Sequence, residues 1–84
     1  ERVNFDMYPN PSTNVVNINL ENWNQQTVSV ILCDMNGRKV YQDEIHLQKG
    51  SSLTKLNVDF LETGVYFVSV NADGKTKSQK LIIQ

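Results

Sequence analysis

Apolar residues in this chain recur at every second position in short runs, and no window places them at helical spacing behind a cap. Side chains two apart share one face of a strand, whereas a helix face needs spacings of three and four, so the pattern commits the chain to β structure. Seven runs are separated by turn residues. The first is Val3, Phe5, Met7 and the second Val16, Ile18, Leu20, whose polar partners Asn17 and Asn19 leave one face wet. Residues 27–33 follow, with Val28, Val30 and Leu32 on one face and Ile31 and Cys33 on the other, then residues 38–48. Leu56, Val58 and Phe60 make the fifth run, residues 65–70 the sixth and 75–84 the last. The expected fold is an all-β, seven-stranded immunoglobulin-like antiparallel β-sandwich. The Cys-Trp-Cys signature of antibody domains is missing, so the likeness is one of architecture.

The connections between runs carry their own chemistry. In Tyr8-Pro9-Asn10-Pro11 each proline fixes its own φ and keeps the preceding residue out of the helical region, so Tyr8 and Asn10 are held extended. Neither proline can donate to a ladder, which makes the segment a rigid connector at a sheet edge. Asp34-Met35-Asn36-Gly37 reads as a tight hairpin in which Asn-Gly supplies positive φ, and Asn71-Ala72-Asp73-Gly74 as a second one. Leu61-Glu62-Thr63-Gly64 turns the chain into the sixth run, whose two apolar faces mark a central strand. A loop is expected at 49–52. Along 38–48 the parity slips, Val40 being even and Tyr41, Ile45 and Leu47 odd, which predicts a bulge near Asp43 or Glu44.

At 84 residues the chain reads as one domain, 1–84, too small for an elaborate active site. It starts at Glu1 without a methionine or signal peptide and reads as a piece of a longer secreted precursor. Eight Lys or Arg against nine Asp or Glu, scattered along the chain, give a net charge of −1, which offers no footprint for nucleic acid. No apolar stretch approaches the ~18 residues of a membrane span. The single Cys33 excludes an internal disulfide and a cysteine zinc site.

Catalytic and metal chemistry find little support. The one histidine, His46, lies on a strand between Ile45 and Leu47 and is expected to face solvent. Cys33 has no cation or helix N-terminus close in sequence and reads as a half-buried structural cysteine. The Asp34 turn places oxygen side chains two apart before a glycine but lacks the remaining ligands of a calcium loop. Proline in Asn10-Pro11-Ser12 removes that glycosylation acceptor. We therefore assign no catalytic, cofactor-binding or metal residues and expect no enzyme. Among Tyr8, Trp23, Tyr41, Tyr66 and Phe67, the loop residue Trp23 keeps a carbohydrate-binding or adhesive module as the alternative function.

Tyr8-Pro9-Asn10-Pro11, Asp34-Met35-Asn36-Gly37-Arg38-Lys39-Val40, Leu61-Glu62-Thr63-Gly64-Val65-Tyr66-Phe67-Val68 and the terminal Lys80-Leu81-Ile82-Ile83 occur in that order. Together they resemble the type A C-terminal sorting domain of type IX secretion (Por secretion) cargo, from about residue 6 to the end. The resemblance implies a signal, found in Bacteroidota, that takes its cargo through the periplasm to the outer-membrane surface or extracellular space. It also implies partners: the type IX translocon, outer-membrane shuttle proteins, and a sortase-like cysteine protease that cuts upstream and attaches the cargo at the surface. On this reading the recognition residues are Tyr8, Pro9, Asn10, Pro11, Asp34, Gly37, Gly64, Val65, Tyr66, Lys80, Leu81, Ile82 and Ile83. The terminal strand is either paired within its sheet or open to strand addition. Cys33 or an edge strand is the candidate seam for a weak homodimer.

Overall fold

The computed structural model describes residues 4–23, 27–48, 52–72 and 74–84. Expectations for Val3, Asp73, the 24–26 part of the Trp23 loop and the 49–51 part of the following loop lie outside the described residues. Seven strands are present: β1 (Asn4–Tyr8), β2 (Val15–Glu21), β3 (Thr27–Asp34), β4 (Lys39–His46), β5 (Ser52–Asn57), β6 (Gly64–Ala72) and β7 (Lys75–Ile83). They form two antiparallel sheets, of order β1-β2-β5 and β4-β3-β6-β7, with β6 central as expected. This is an immunoglobulin-like sandwich in which the fourth strand joins the larger sheet.

Alternation along each strand builds the core. Phe5, Val16, Ile18, Leu20 and Leu56 face inward from the small sheet, and Val28, Val30, Leu32, Val68, Val70, Leu81 and Ile83 from the large one. Trp23 joins them and is fully buried, so it is a core filler and no sugar platform. On one side the sheets are stitched by Gln79, whose side-chain amide donates to the Phe5 carbonyl across the gap between β7 and β1.

Three local expectations are corrected. The bulge falls at Val40: Leu32 pairs with Tyr41 and Cys33 with Lys39, so Val40 is the extra residue and everything from Tyr41 onward keeps regular parity. The fifth strand starts at Ser52 and stops at Asn57, because the Asn57 Oδ1 accepts the Asp59 N–H at 3.0 Å and bends the chain. Val58 is buried beyond the strand, while Phe60 is 53% exposed. The Asp34 turn is a four-residue loop closed by Gly37 N–H to Asp34 O at 3.0 Å; only Gly37 takes positive φ, 83°, a state its missing Cβ allows.

Candidate recognition surface

Register gathers the distant motifs at one pole of the sandwich. β1, β3, β5 and β7 end there, at Tyr8, Asp34, Asn57 and Ile83, and β2, β4 and β6 begin there, at Val15, Lys39 and Gly64. Asp34 lies opposite Tyr66, and Gly64 opposite Ile83. Ser12, just past the proline connector, forms a parallel bridge with Ile83. All four sequence motifs therefore meet in space, although Asn10 and Ile82 are 72 positions apart.

The proline connector clamps the terminal strand. The Asn10 side chain donates to the Lys80 carbonyl at 2.8 Å and accepts the Ile82 N–H at 3.0 Å. Ser12 N–H donates to the Ile82 carbonyl and Gln84 N–H to the Ser12 carbonyl, both at 2.9 Å. The Ser12 hydroxyl, buried to 2% exposure, donates to the Val15 carbonyl. β6 takes the inner edge of the strand and residues 10–12 the outer edge, so the tip of β7 is paired on both sides and closed to strand addition. The Tyr8–Pro9 and Asn10–Pro11 bonds are both cis.

The second and third motifs build a turn and a corner. The Asp34 carboxylate accepts the N–H groups of Arg38 and Asn36, each at 2.9 Å, and the Arg38 guanidinium lies at 3.2 Å. The Arg38 backbone N–H is the main force holding the Asp34 pKa below the usual carboxylate range, aided by the Asn36 N–H and the Arg38 charge against a partial desolvation penalty. Opposite, the Tyr66 hydroxyl donates to the Glu62 carbonyl at 2.8 Å, four residues upstream at the start of β6. That is the tyrosine corner of immunoglobulin-like sandwiches, and it fixes the turn that leads into β6. Between turn and corner lies an open cleft of about 460 Å³, lined by Arg38, Val40, Phe60, Leu61 and Glu62 among others.

The expected recognition residues divide by exposure. Tyr66, Leu81 and Ile83 are core residues, at 8%, 0% and 2% exposure. Gly64, Val65, Ile82 and Asp34 are half-buried, while Tyr8, Pro9, Asn10, Pro11, Gly37 and Lys80 are exposed. Three exposed neighbours at the same pole stand outside the expected recognition residues: Met35 and Arg38, both within the Asp34 motif, and Phe60; the Arg38 side chain is 80% exposed. For Phe60 the signal lies in the Asn57-Val58-Asp59 stretch, a strand-ending turn whose residues also prolong the alternation.

Reactive chemistry is sparse. His46 is exposed at the far end of β4, with Nδ1 3.3 Å from the Thr27 hydroxyl. Cys33 is half-buried and forms no disulfide within the chain. The Tyr41 hydroxyl donates to Asp43, and burial, followed by that bond, pushes its pKa up. Among the described residues no group of three or more His, Cys, Asp or Glu is placed to hold a metal ion. No helix of the described structure is long and apolar enough to cross a membrane. The arrangement presents shape and hydrogen-bonding edges.

Compared with known protein families, the chain matches the secretion system C-terminal sorting domain over residues 6–84. The chain belongs to this family. No curated protein matches it. The sorting domain is the C-terminal signal of type IX secretion, working through contact with the secretion machinery, and it directs export to the outer-membrane surface or extracellular space. Its role is that of a signal and is not itself catalytic.

Proposed function

We propose that the secretion machinery reads the sorting domain at the pole where its four motifs converge. The observation that carries this reading is the convergence itself: the clamp, the Asp34 turn, the tyrosine corner and the end of β7 occupy one end of the sandwich. β1 begins at the opposite end, so a cargo joined ahead of residue 4 attaches away from the pole and leaves it open. A preformed sandwich presents this surface with little entropy lost on binding. The readers are the type IX translocon and its outer-membrane shuttle proteins, and a sortase-like cysteine protease then cuts upstream of the folded domain.

Fusing residues 1–84 to a periplasmic reporter in a host with the system tests this. The fusion is expected at the cell surface or in the medium, and retention in the periplasm would overturn the reading. With Trp23 enclosed in the core, the carbohydrate-binding alternative loses the residue that motivated it.

A further inference from the structure

The two outer faces of the sandwich differ. On the small sheet, each outward apolar residue stands beside a polar one: Asp6 lies beside Asn19, which lies beside the exposed Leu53, Tyr8 beside Asn17, which lies beside Lys55, and the exposed Val15 beside Asn57. That is the usual solvated face of an antiparallel sheet. The large sheet breaks the rule at the motif pole. Outward-facing Val65 lies beside Ile82, and in the next row Lys39, Cys33, Phe67 and Lys80 stand side by side across all four strands. Ile31 continues the apolar strip in the third row, between Gln42 and Ser69. Phe67 is 41% exposed, whereas Ile31, Cys33, Val65 and Ile82 are half-buried.

Toward the far pole the same face turns polar and satisfies itself. Ser69 and Ser78 share a hydrogen bond at 2.8 Å, and Thr76 donates to Asn71 at 2.6 Å. The apolar strip is thus confined to one end, and a confined apolar patch with a polar rim is the mark of a contact surface. Its flanks are cationic. Lys39 and Lys80 are exposed on either side of Cys33 and Phe67, and Lys39 donates to the neutral Gln42 at 2.6 Å. Nearby, Asp34 is already engaged by Arg38, and Glu44 lies two rows away, opposite Ser29.

Resting on the reading of this domain as a sorting signal, we propose that the outer face of β4, β3, β6 and β7 at the motif pole docks a protein of the export apparatus. The matching surface is apolar at its centre, where Phe67 seats, and carries carboxylates on both sides for Lys39 and Lys80. Aromatic anchors at the centre of a patch carry most of an interface's affinity, and flanking charges set orientation and partner choice.

The test uses the 1–84 reporter fusion in a type IX host, with the melting of each purified domain checked alongside. Phe67→Ser and the Lys39→Glu/Lys80→Glu pair should each lower export by about tenfold or more while the domain still melts cooperatively. The same charge change at the far-pole pair Lys75→Glu/Lys77→Glu, exposed at the start of β7, should leave export unchanged. If Phe67→Ser unfolds the domain, the lysine pair decides, because both its sites are exposed. Full export of the folded lysine pair would overturn the proposal while leaving the sorting function standing. Failure of the unaltered fusion to be exported would overturn both. Lysine-dependent sedimentation of the domain with phosphatidylglycerol vesicles would replace the protein partner by a lipid surface, and a Phe67-dependent dimer in light scattering would replace it by a second copy; either overturns the proposal.

Discussion

The Tyr66 hydroxyl has a single job that can be removed without disturbing its ring. Phe at this position keeps the buried aromatic body and loses only the bond to the Glu62 carbonyl, so Tyr66→Phe should destabilise the domain by about 1 kcal/mol. A urea midpoint lowered at unchanged slope is the expected result, and an unchanged midpoint would remove the corner's structural role. Asp34 gives a pH signature instead. Its folded pKa lies below the ordinary value, so its contribution to stability is complete above the unfolded pKa of about 3.9 and is lost as pH falls through the folded value. Melting curves of wild type and Asp34→Asn from about pH 7 down to about pH 2 should therefore converge at the acid end, and a gap that is constant with pH would refute the charge argument. Neither role was legible beforehand. Tyr66 sits at a core parity that hides its hydroxyl's partner, and the Asp34 turn looked like a two-residue hairpin until its side chain was seen capping two N–H groups.

At the scale of elements, alternation made most of the strands readable, including their faces and the central place of β6. Single-residue irregularities were harder to place. A bulge at Val40 and a bulge at Asp43 give the same parity beyond residue 44 but differ at Tyr41, whose odd parity, shared with Ile45 and Leu47, is the sequence signal for Val40 that the pairing with β3 bears out. The end of β5 was hidden because Val58 and Phe60 extend the alternation past the turn that stops the strand. The proline connector was legible as a stiff piece at an edge, but its grip on β7 depends on one asparagine side chain spanning two strand residues. Replacing Asn10 by Ala removes both of those bonds and keeps the prolines. The Ile82 amide should then exchange at least about tenfold faster, while the Leu81 amide, which faces β6, keeps its protection. Equal exchange of Ile82 in both proteins would show that Ser12 alone holds the edge. Deleting Lys80 to Gln84 is a blunter tool, since it strips Leu81 and Ile83 from the core, at about 2–5 kcal/mol for each large aliphatic side chain lost. Against the total stability of about 5–15 kcal/mol typical of folded proteins, that deletion unfolds the domain whether or not the tip is read.

Across the whole molecule, antiparallel order gives the sandwich two ends, and the proposed reading assigns them different work. Motifs scattered through the chain look independent in sequence, and their convergence follows only from which strands end where, information held in register and not in any local pattern. A polar division of labour predicts a polar map of tolerance. Far-pole changes at Glu21→Ala, His46→Ala and Lys75→Ala alter exposed side chains at strand ends opposite the motifs, and should leave reporter export at wild-type level. Motif-pole changes at Tyr8→Ala, Arg38→Ala and Phe60→Ala also alter exposed side chains and should spare the fold, since surface substitutions usually stay within about 0.5 kcal/mol. Combined in one chain, the motif-pole set should reduce export by about tenfold or more, as expected when central contacts of an interface are truncated, with melting close to that of the far-pole set. Equal loss from both sets would mean that the machinery senses folding alone, and no loss from either would move the reading surface off the poles altogether.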